Sequence, residues 1–329
     1  MCSIMFLPAA ILILLFVDFV LSVCIIFILN LIFVRPLSKN VYKRIKGLAS
    51  DMGVCLAWQT LFSRVKIELI TDNETYELLG KESAILIANH RHALDHTIVM
   101  LVNQFFGSSS NTLTLSKNSI KYYPFYGWVS WLSNRVIFLE RDWKKDAMKL
   151  KTAIGVVKRS YRPWWFIVFA EGTRLTPQKL LEAQEYAISQ GLHVPRNVLI
   201  PRTKGFVSIV KYSREHFHVV YDLTLVVPPG CPPLTLKNVL KGEKTTINIY
   251  IKRFLMKHLP ESDEDVAMWC RERFCDKDAF LDQYMVKGIS ECQVSRTIHN
   301  KKHIHVAGAW AFLLLQISVL VYYLYLSRI

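Results

Sequence analysis

Two apolar stretches bracket this chain and constrain it more than any other feature. From Ile4 to Val34 the sequence IMFLPAAILILLFVDFVLSVCIIFILNLIFV holds one charged residue, Asp18, and from Val306 to Leu326 VAGAWAFLLLQISVLVYYLYL holds none. A spanning helix needs about 20 apolar residues, so the second stretch can cross a bilayer once and the first can cross with tilt or as a bent pair. Trp310 near one end of the second stretch, and Tyr322, Tyr323 and Tyr325 near the other, match the interfacial aromatic belt. A cleaved signal peptide fits the first stretch poorly: no Lys or Arg precedes it, and it exceeds the roughly 7–15 residues of a signal core. Asp18 would be costly in hydrocarbon, and it reads as facing a protein groove or marking a break between half-helices.

Positive charge sets the expected topology. Arg35, Lys39, Lys43, Arg44 and Lys46 follow the first stretch with no acid before Asp51, and Lys301 and Lys302 precede the second. The positive-inside rule then puts everything between them in the cytosol. Seven cysteines, scattered and without a C-x-x-C pair, agree with reduced thiols. The sequon Asn73-Glu74-Thr75 would be used only if this region were lumenal, so it is expected to stay unmodified. The net charge of +15 calls for anionic partners. Without a basic motif interleaved with stacking aromatics, nucleic acid is not expected; anionic headgroups and phosphate-bearing small molecules are.

Between the apolar ends, strand-like runs alternate with helix-period stretches. AILIAN (84–89), TLTLS (112–116), RVIFL (135–139), WWFIVFA (164–170), NVLIP (197–201), HVVYDLTLVV (218–227) and TINIYI (246–251) read as strands, several apolar on both faces. Strands of a two-sided, largely parallel sheet look like this. Thr176-Pro177 reads as a helix start with Gly191 as its stop, and residues 143–160 place Ala147, Leu150, Ile154 and Val157 on one face. The alternation predicts an α/β fold with a central, largely parallel sheet flanked by helices. The expected divisions are a membrane anchor at 1–34, a basic connector at 35–80, the α/β domain at 81–260, a C-terminal extension at 261–305 and a membrane helix at 306–326.

IANHRHALDH (87–96) carries the densest chemistry. With AILIAN as a strand, His90 lies at its carboxyl end, where open α/β sheets place ligands. His90 and Asp95 are five apart, about 500° around a continuous helix, so they meet only if the strand-to-helix turn folds one back on the other. Such a pair would make a general base and its orienter. The rival is a metal nest of His90, His92, Asp95 and His96, although the spacing has one residue more than the H-x-H-x-D-H ligand pattern and His193, His216 and His218 sit in no matching pattern.

Three further stretches complete a resemblance. Asn89-His90-Arg91-His92-Ala93-Leu94-Asp95 resembles the N-H-x-x-x-x-D box of the glycerolipid acyltransferases. Phe138-Leu139-Glu140-Arg141 resembles their second box, Glu171-Gly172-Thr173-Arg174 their E-G-T-R box, and Ile200-Pro201-Arg202-Thr203-Lys204-Gly205-Phe206 their proline-containing fourth box. The resemblance covers about residues 55–290; KNSIKYYPFYGW and NVLIPRTKGFVSIV are most similar to the endoplasmic-reticulum lysophosphatidic acid acyltransferases of plants. It implies the glycerolipid acyltransferase fold with membrane helices at both ends, in a multi-pass protein of the endoplasmic reticulum whose catalytic domain faces the cytosol. It implies that His90 deprotonates the sn-2 hydroxyl of lysophosphatidic acid as it attacks an acyl-CoA thioester, with Asp95 orienting the imidazole and with no acyl-enzyme. Arg141, Glu171, Gly172, Thr173 and Arg174 would serve the acceptor's phosphate, Glu171 by holding Arg174 or the backbone in place. Pro201, Lys204, Gly205 and Lys117 would line the acyl-CoA or acceptor loop. No metal and no cofactor are implied beyond acyl-CoA as co-substrate, and the partners are the two substrates and membrane lipids. His92 and Ala93 depart from the commoner N-H-R-S-D-I-D, a difference that bears on acceptor preference. Another lysophospholipid, such as lysophosphatidylglycerol or lysocardiolipin, is the alternative acceptor; a metallo-hydrolase and an inactive membrane scaffold are the alternatives from other classes.

Overall fold

A computed structural model describes residues 24–43, 45–47, 65–107, 111–123, 126–158, 162–287 and 294–298. Residues 24–37 and 39–43 are helical, with a π-helical turn at Asn30–Val34 and a break at Ser38, whose hydroxyl accepts the Val41 N–H at 3.3 Å. Among the described residues no helix is long and apolar enough to cross a membrane; the 306–326 stretch and residues 4–23 lie outside them.

The domain is an eight-stranded sheet with helices on both faces. In chain order the elements are β1 (Val65–Thr71), α1 (Asn73–Leu78), β2 (Ala84–Ala88), α2 (Asp95–Phe106), β3 (Thr112–Lys117), α3 (Tyr126–Ser133), β4 (Val136–Leu139), α4 (Trp143–Val157), β5 (Trp165–Phe169), α5 (Pro177–Ser189), α6 (Thr203–Ser213), β6 (Val219–Val226), α7 (Leu236–Leu240), β7 (Thr245–Leu255), α8 (Asp263–Lys287) and β8 (Val294–Ile298). The spatial order is β4-β3-β5-β2-β6-β7-β1-β8. The first five are mutually parallel. β7 turns antiparallel to β6, β1 runs parallel to β7, and β8 closes the edge antiparallel to β1.

Side-chain alternation along the strands divides the core in two. Ile85 and Ile87 of β2 join Leu150 and Ile154 of α4, Phe206 and Ile209 of α6 and Phe274 and Leu281 of α8 on one face. Ala84, Leu86 and Ala88 face Ile98, Val99 and Val102 of α2 and Val239 of α7 on the other. Each fully buried large apolar side chain contributes roughly 1.5–3 kcal/mol of transfer free energy, so both faces of the sheet are strongly specified. The crossovers after β2 lead toward β4, and those after β5 return past β2 to β6. β2 therefore sits at the topological switch point, and its carboxyl end is where an open sheet presents a ligand crevice.

Six of the seven expected strands form. NVLIP does not: residues 196–200 are irregular, because the Asn197 N–H donates to Asp278 at 2.6 Å and the Leu199 N–H to Glu171 at 3.1 Å, not to a neighbouring strand. Two strands are additional. β1 comes from the stretch expected as a connector, and its Glu68 is buried under the hydroxyls of Ser295 and Thr297. Those residues belong to β8, a strand from the stretch expected as an extension.

Candidate active site

The site is assembled where four parallel strands end. β2 is followed by Asn89 and His90, β5 by Ala170 and Glu171, β4 by Glu140 and Arg141, and β3 ends on Lys117. Asn89 is fully buried and extends the sheet with its side chain: its amide donates to Leu225 O at 3.0 Å and its carbonyl accepts the Leu225 N–H at 2.8 Å. An amide carries both a donor and an acceptor, and Asn89 uses both on β6. The chain leaving β2 is thereby locked as it reaches His90.

His90 Nδ1 lies 3.0 Å from Asp95 Oδ2. Asp95 is the first residue of α2 and is wholly buried, and the same Oδ2 accepts the His92 N–H at 2.7 Å. The five-residue turn thus folds back on itself, and His92 contributes its backbone to the pair. A carboxylate on Nδ1 holds the proton there and leaves Nε2 with its lone pair free. The His90 ring rests against Phe169, centroids 4.7 Å apart, and keeps about a fifth of its side chain exposed. His96, deeper and near the same ring, is driven down to about 4 by burial, with His90 adding repulsion. Among the described residues no three His, Cys, Asp or Glu side chains are grouped so as to hold a metal ion.

Glu171 is turned inward. Its Oε1 accepts the His90 N–H at 2.8 Å and its Oε2 the Leu199 N–H at 3.1 Å. His90 O in turn accepts the Leu175 N–H at 2.8 Å, and Ala170 O accepts the Arg202 N–H at 2.7 Å. One carboxylate therefore ties the ends of β2 and β5 to the segment entering α6. Burial pushes the Glu171 carboxyl up to about 8, against the opposing pull of those two N–H bonds. Gly172 follows with φ +68°, and a Cβ there would come within 3.0 Å of Arg202 Cδ. Only glycine allows both that backbone and that approach.

Basic side chains gather beside this floor. Partial desolvation and then repulsion from Arg141, Lys179 and Arg202 hold the Lys117 ammonium below the usual lysine value, so these three cations are near enough for Lys117 to feel their charge. Arg141 is exposed and adopts φ +65°, unusual for a residue with a Cβ. Buried Asp146 holds that turn, accepting the Glu140 N–H at 2.9 Å and the Arg141 N–H at 3.0 Å. Lys179 Nζ donates to the Thr173 hydroxyl, and to Arg174 O at 3.3 Å. Arg174 is exposed, and burial first, then repulsion from Arg91, His90 and Arg174, holds the His92 imidazole below its usual value against the pull of Asp95. Pro201 is buried, Lys204 stands exposed in the first turn of α6, and a Cβ on Gly205 would make ordinary contact with Leu115.

Known proteins share this chain's framework. A family model described as Acyltransferase matches residues 65–227, and one described as Acyltransferase C-terminus matches residues 238–311. Over 289 residues the chain is 40% identical to 1-acyl-sn-glycerol-3-phosphate acyltransferase 2 of Arabidopsis thaliana, covering 86% of this chain and 73% of that one. The chain belongs to the 1-acyl-sn-glycerol-3-phosphate acyltransferase family. It is also 39% identical over 314 residues to 1-acyl-sn-glycerol-3-phosphate acyltransferase 3 of the same plant, covering 94% of this chain and 82% of that one. The human 1-acyl-sn-glycerol-3-phosphate acyltransferase gamma is 31% identical over 259 residues, covering 77% and 68%.

In this acyltransferase Arg202 and Lys179 are site cations that no motif spacing assigns a role. Arg202 lies inside the quoted fourth box, next to Pro201, and its side chain reaches Gly172. Lys179 is the residue whose N–H the cap Thr176 accepts at 3.4 Å. A cation at that spacing resembles any solvated helix face, so nothing in the pattern marks it.

Proposed function

We propose that the protein transfers an acyl group from acyl-CoA to the sn-2 hydroxyl of lysophosphatidic acid, releasing CoA and phosphatidic acid, with His90 as general base. The observation that carries this reading is the buried Asp95 carboxylate 3.0 Å from His90 Nδ1. In the proposed reaction Nε2 takes the hydroxyl proton as the oxygen attacks the thioester carbonyl. The tetrahedral intermediate collapses with loss of the CoA thiolate, which recovers the proton from the imidazolium. General base catalysis of this kind contributes roughly 10²–10⁴-fold.

Lys117, Arg141, Lys179 and Arg202 serve the acceptor's phosphate, an assignment supported by the repulsion that Lys117, at the carboxyl end of β3, feels from the other three. The names of the plant and human relatives favour this acceptor. Thr173 positions Lys179, and Arg174 offers a further cation beside His92. Pro201, Lys204 and Gly205 shape the loop that receives acyl-CoA. Both substrates carry acyl chains, which suits an enzyme of the endoplasmic-reticulum membrane anchored by residues 1–34 and 306–326, with its catalytic domain in the cytosol.

The test is product identity. Membranes containing the protein, given oleoyl-CoA with lysophosphatidic acid, lysophosphatidylglycerol or lysocardiolipin, are analysed for new phospholipid by mass spectrometry. Phosphatidic acid as the dominant product supports the proposal, and a dominant product from another acceptor refutes the acceptor assignment.

A further inference from the structure

Two consecutive residues of α8, far along the chain from every box, are buried beneath the catalytic floor. Lys277 and Asp278 are 2% and 1% exposed. Lys277 Nζ donates to Asp222 and, at 2.7 Å, to Leu223 O, both on β6. Leu223 is the register partner of Ala88, the last residue of β2, and Leu225 is the residue that grips Asn89. Asp278 reaches the opposite wall: it accepts the Arg196 N–H at 3.0 Å, the Asn197 N–H at 2.6 Å and His193 Nε2 at 2.9 Å. Two residues on, the Leu199 N–H donates to Glu171, which holds the His90 N–H.

Two routes therefore run from one turn of α8 to the same amide. One passes through β6 and Asn89, the other through residues 196–199 and Glu171. The largely buried Arg91 guanidinium is near enough to Asp95, Glu171 and Asp278 to feel all three carboxylates. Glu171 likewise feels Lys277. A buried ion pair is poor value as a stabilising device, since an apolar pair of similar volume is often as stable. What such a pair does supply is a fixed geometry.

We infer that Lys277 and Asp278 are positioning residues for the acyl transfer: α8 staples both walls of the crevice, through β6 and through residues 196–199, and so fixes where His90 stands. This rests on the proposed role of His90, but its test does not need turnover. A displacement of about 1 Å at a catalytic group can cost roughly 100-fold, so a staple that slips lowers kcat and leaves substrate affinity nearly untouched.

The experiment uses the full chain reconstituted in bilayers, with Asp278→Asn as the first variant and Asp282→Asn as the second. Asp282 accepts Asn197 Nδ2 at 2.7 Å near the surface, so its loss loosens the same segment without disturbing a buried charge. Hydrogen exchange is read at the His90 amide, with the amides of α2 from Ile98 to Val102 as the reference. The staple predicts faster exchange at His90 with the reference unchanged, in Asp278→Asn if it folds and in Asp282→Asn otherwise. Where turnover is measurable, kcat per folded molecule falls about 10- to 100-fold in Asp278→Asn and KM stays within about twofold. Wild-type exchange at His90 in a folded variant, or a uniform rise across α2 as well, overturns the inference. Failure of wild type to acylate any lysophospholipid would refute the proposed function alone, because the exchange result is decided separately.

Discussion

The Glu171 carboxylate accepts the backbone N–H of His90 at 2.8 Å, so the E-G-T-R box supports the first box from below. Glu171→Gln keeps one acceptor oxygen and turns an NH₂ group toward an N–H donor. The expected result is a fall in kcat of about 10- to 100-fold, the cost of a mispositioned base, with KM for the phosphate-bearing acceptor nearly unchanged. Steady-state kinetics in both substrates check it.

The same residue gives a pH prediction. Burial raises the Glu171 carboxyl from its ordinary 4.5 to about 8, so the folded state holds a proton that the unfolded chain releases at lower pH. Its contribution to stability is fully present below about 4.5 and is lost as pH rises toward about 8. Glu171→Gln never ionises. Melting temperatures from pH 5 to pH 9 should therefore show the variant gaining on wild type as pH rises; a constant or shrinking difference would contradict the assignment.

One atom, Asp95 Oδ2, meets both His90 Nδ1 and the His92 N–H, so in Asp95→Asn an NH₂ group at that position faces His90 Nδ1 with a donor and takes the acceptor from the His92 N–H. That stabilises the tautomer with its proton on Nε2, the wrong nitrogen for a base. By analogy with the serine-protease triad the loss in kcat is on the order of 10³–10⁴-fold. Thermal unfolding of the same preparation separates this from a folding defect.

Gly172→Ala tests the turn that carries Arg202. At φ +68° a Cβ is strained, and here it would meet Arg202 Cδ at 3.0 Å. A loss of about 1–2 kcal/mol in stability is expected, together with a higher KM for lysophosphatidic acid as Arg202 is pushed aside. Denaturation and acceptor titration read the two effects separately.

The sequon supplies a topology test. Asn73 opens α1 with its side-chain carbonyl accepting from Arg296, and the Thr75 hydroxyl donates to Asp72 at 2.7 Å. A cytosolic domain predicts no mobility shift on endoglycosidase treatment. A shift that disappears in Asn73→Gln would place this face in the lumen.

β2, β5 and β6 were legible because each is apolar on both faces, and β3, β4 and β7 because short runs of β-branched and apolar residues stand between breakers. β1 was not, since Lys66 and Glu68 interrupt its apolar pattern, and Glu68 is made tolerable by β8, more than 220 residues away. NVLIP misled for the opposite reason: its composition suits a strand, but distant carboxylates take the backbone donors a strand would need. At the site, His90 and Asp95 were readable because a short turn joins them. The burial of Glu171 was not, since its partners are backbone amides, and no residue type signals a role there. Lys277 and Asp278 were invisible because they lie in a helix whose sequence reads as charged surface.

In the proposed reaction His90, held by Asp95, drives acyl transfer to a lysophospholipid hydroxyl. The most direct measurement is CoA release from oleoyl-CoA by membranes containing wild type or His90→Ala, with and without lysophosphatidic acid, at matched protein content. Acceptor-dependent release by wild type and a loss of about 10³-fold or more in the variant are expected. Equal release by the two proteins would contradict the role of His90.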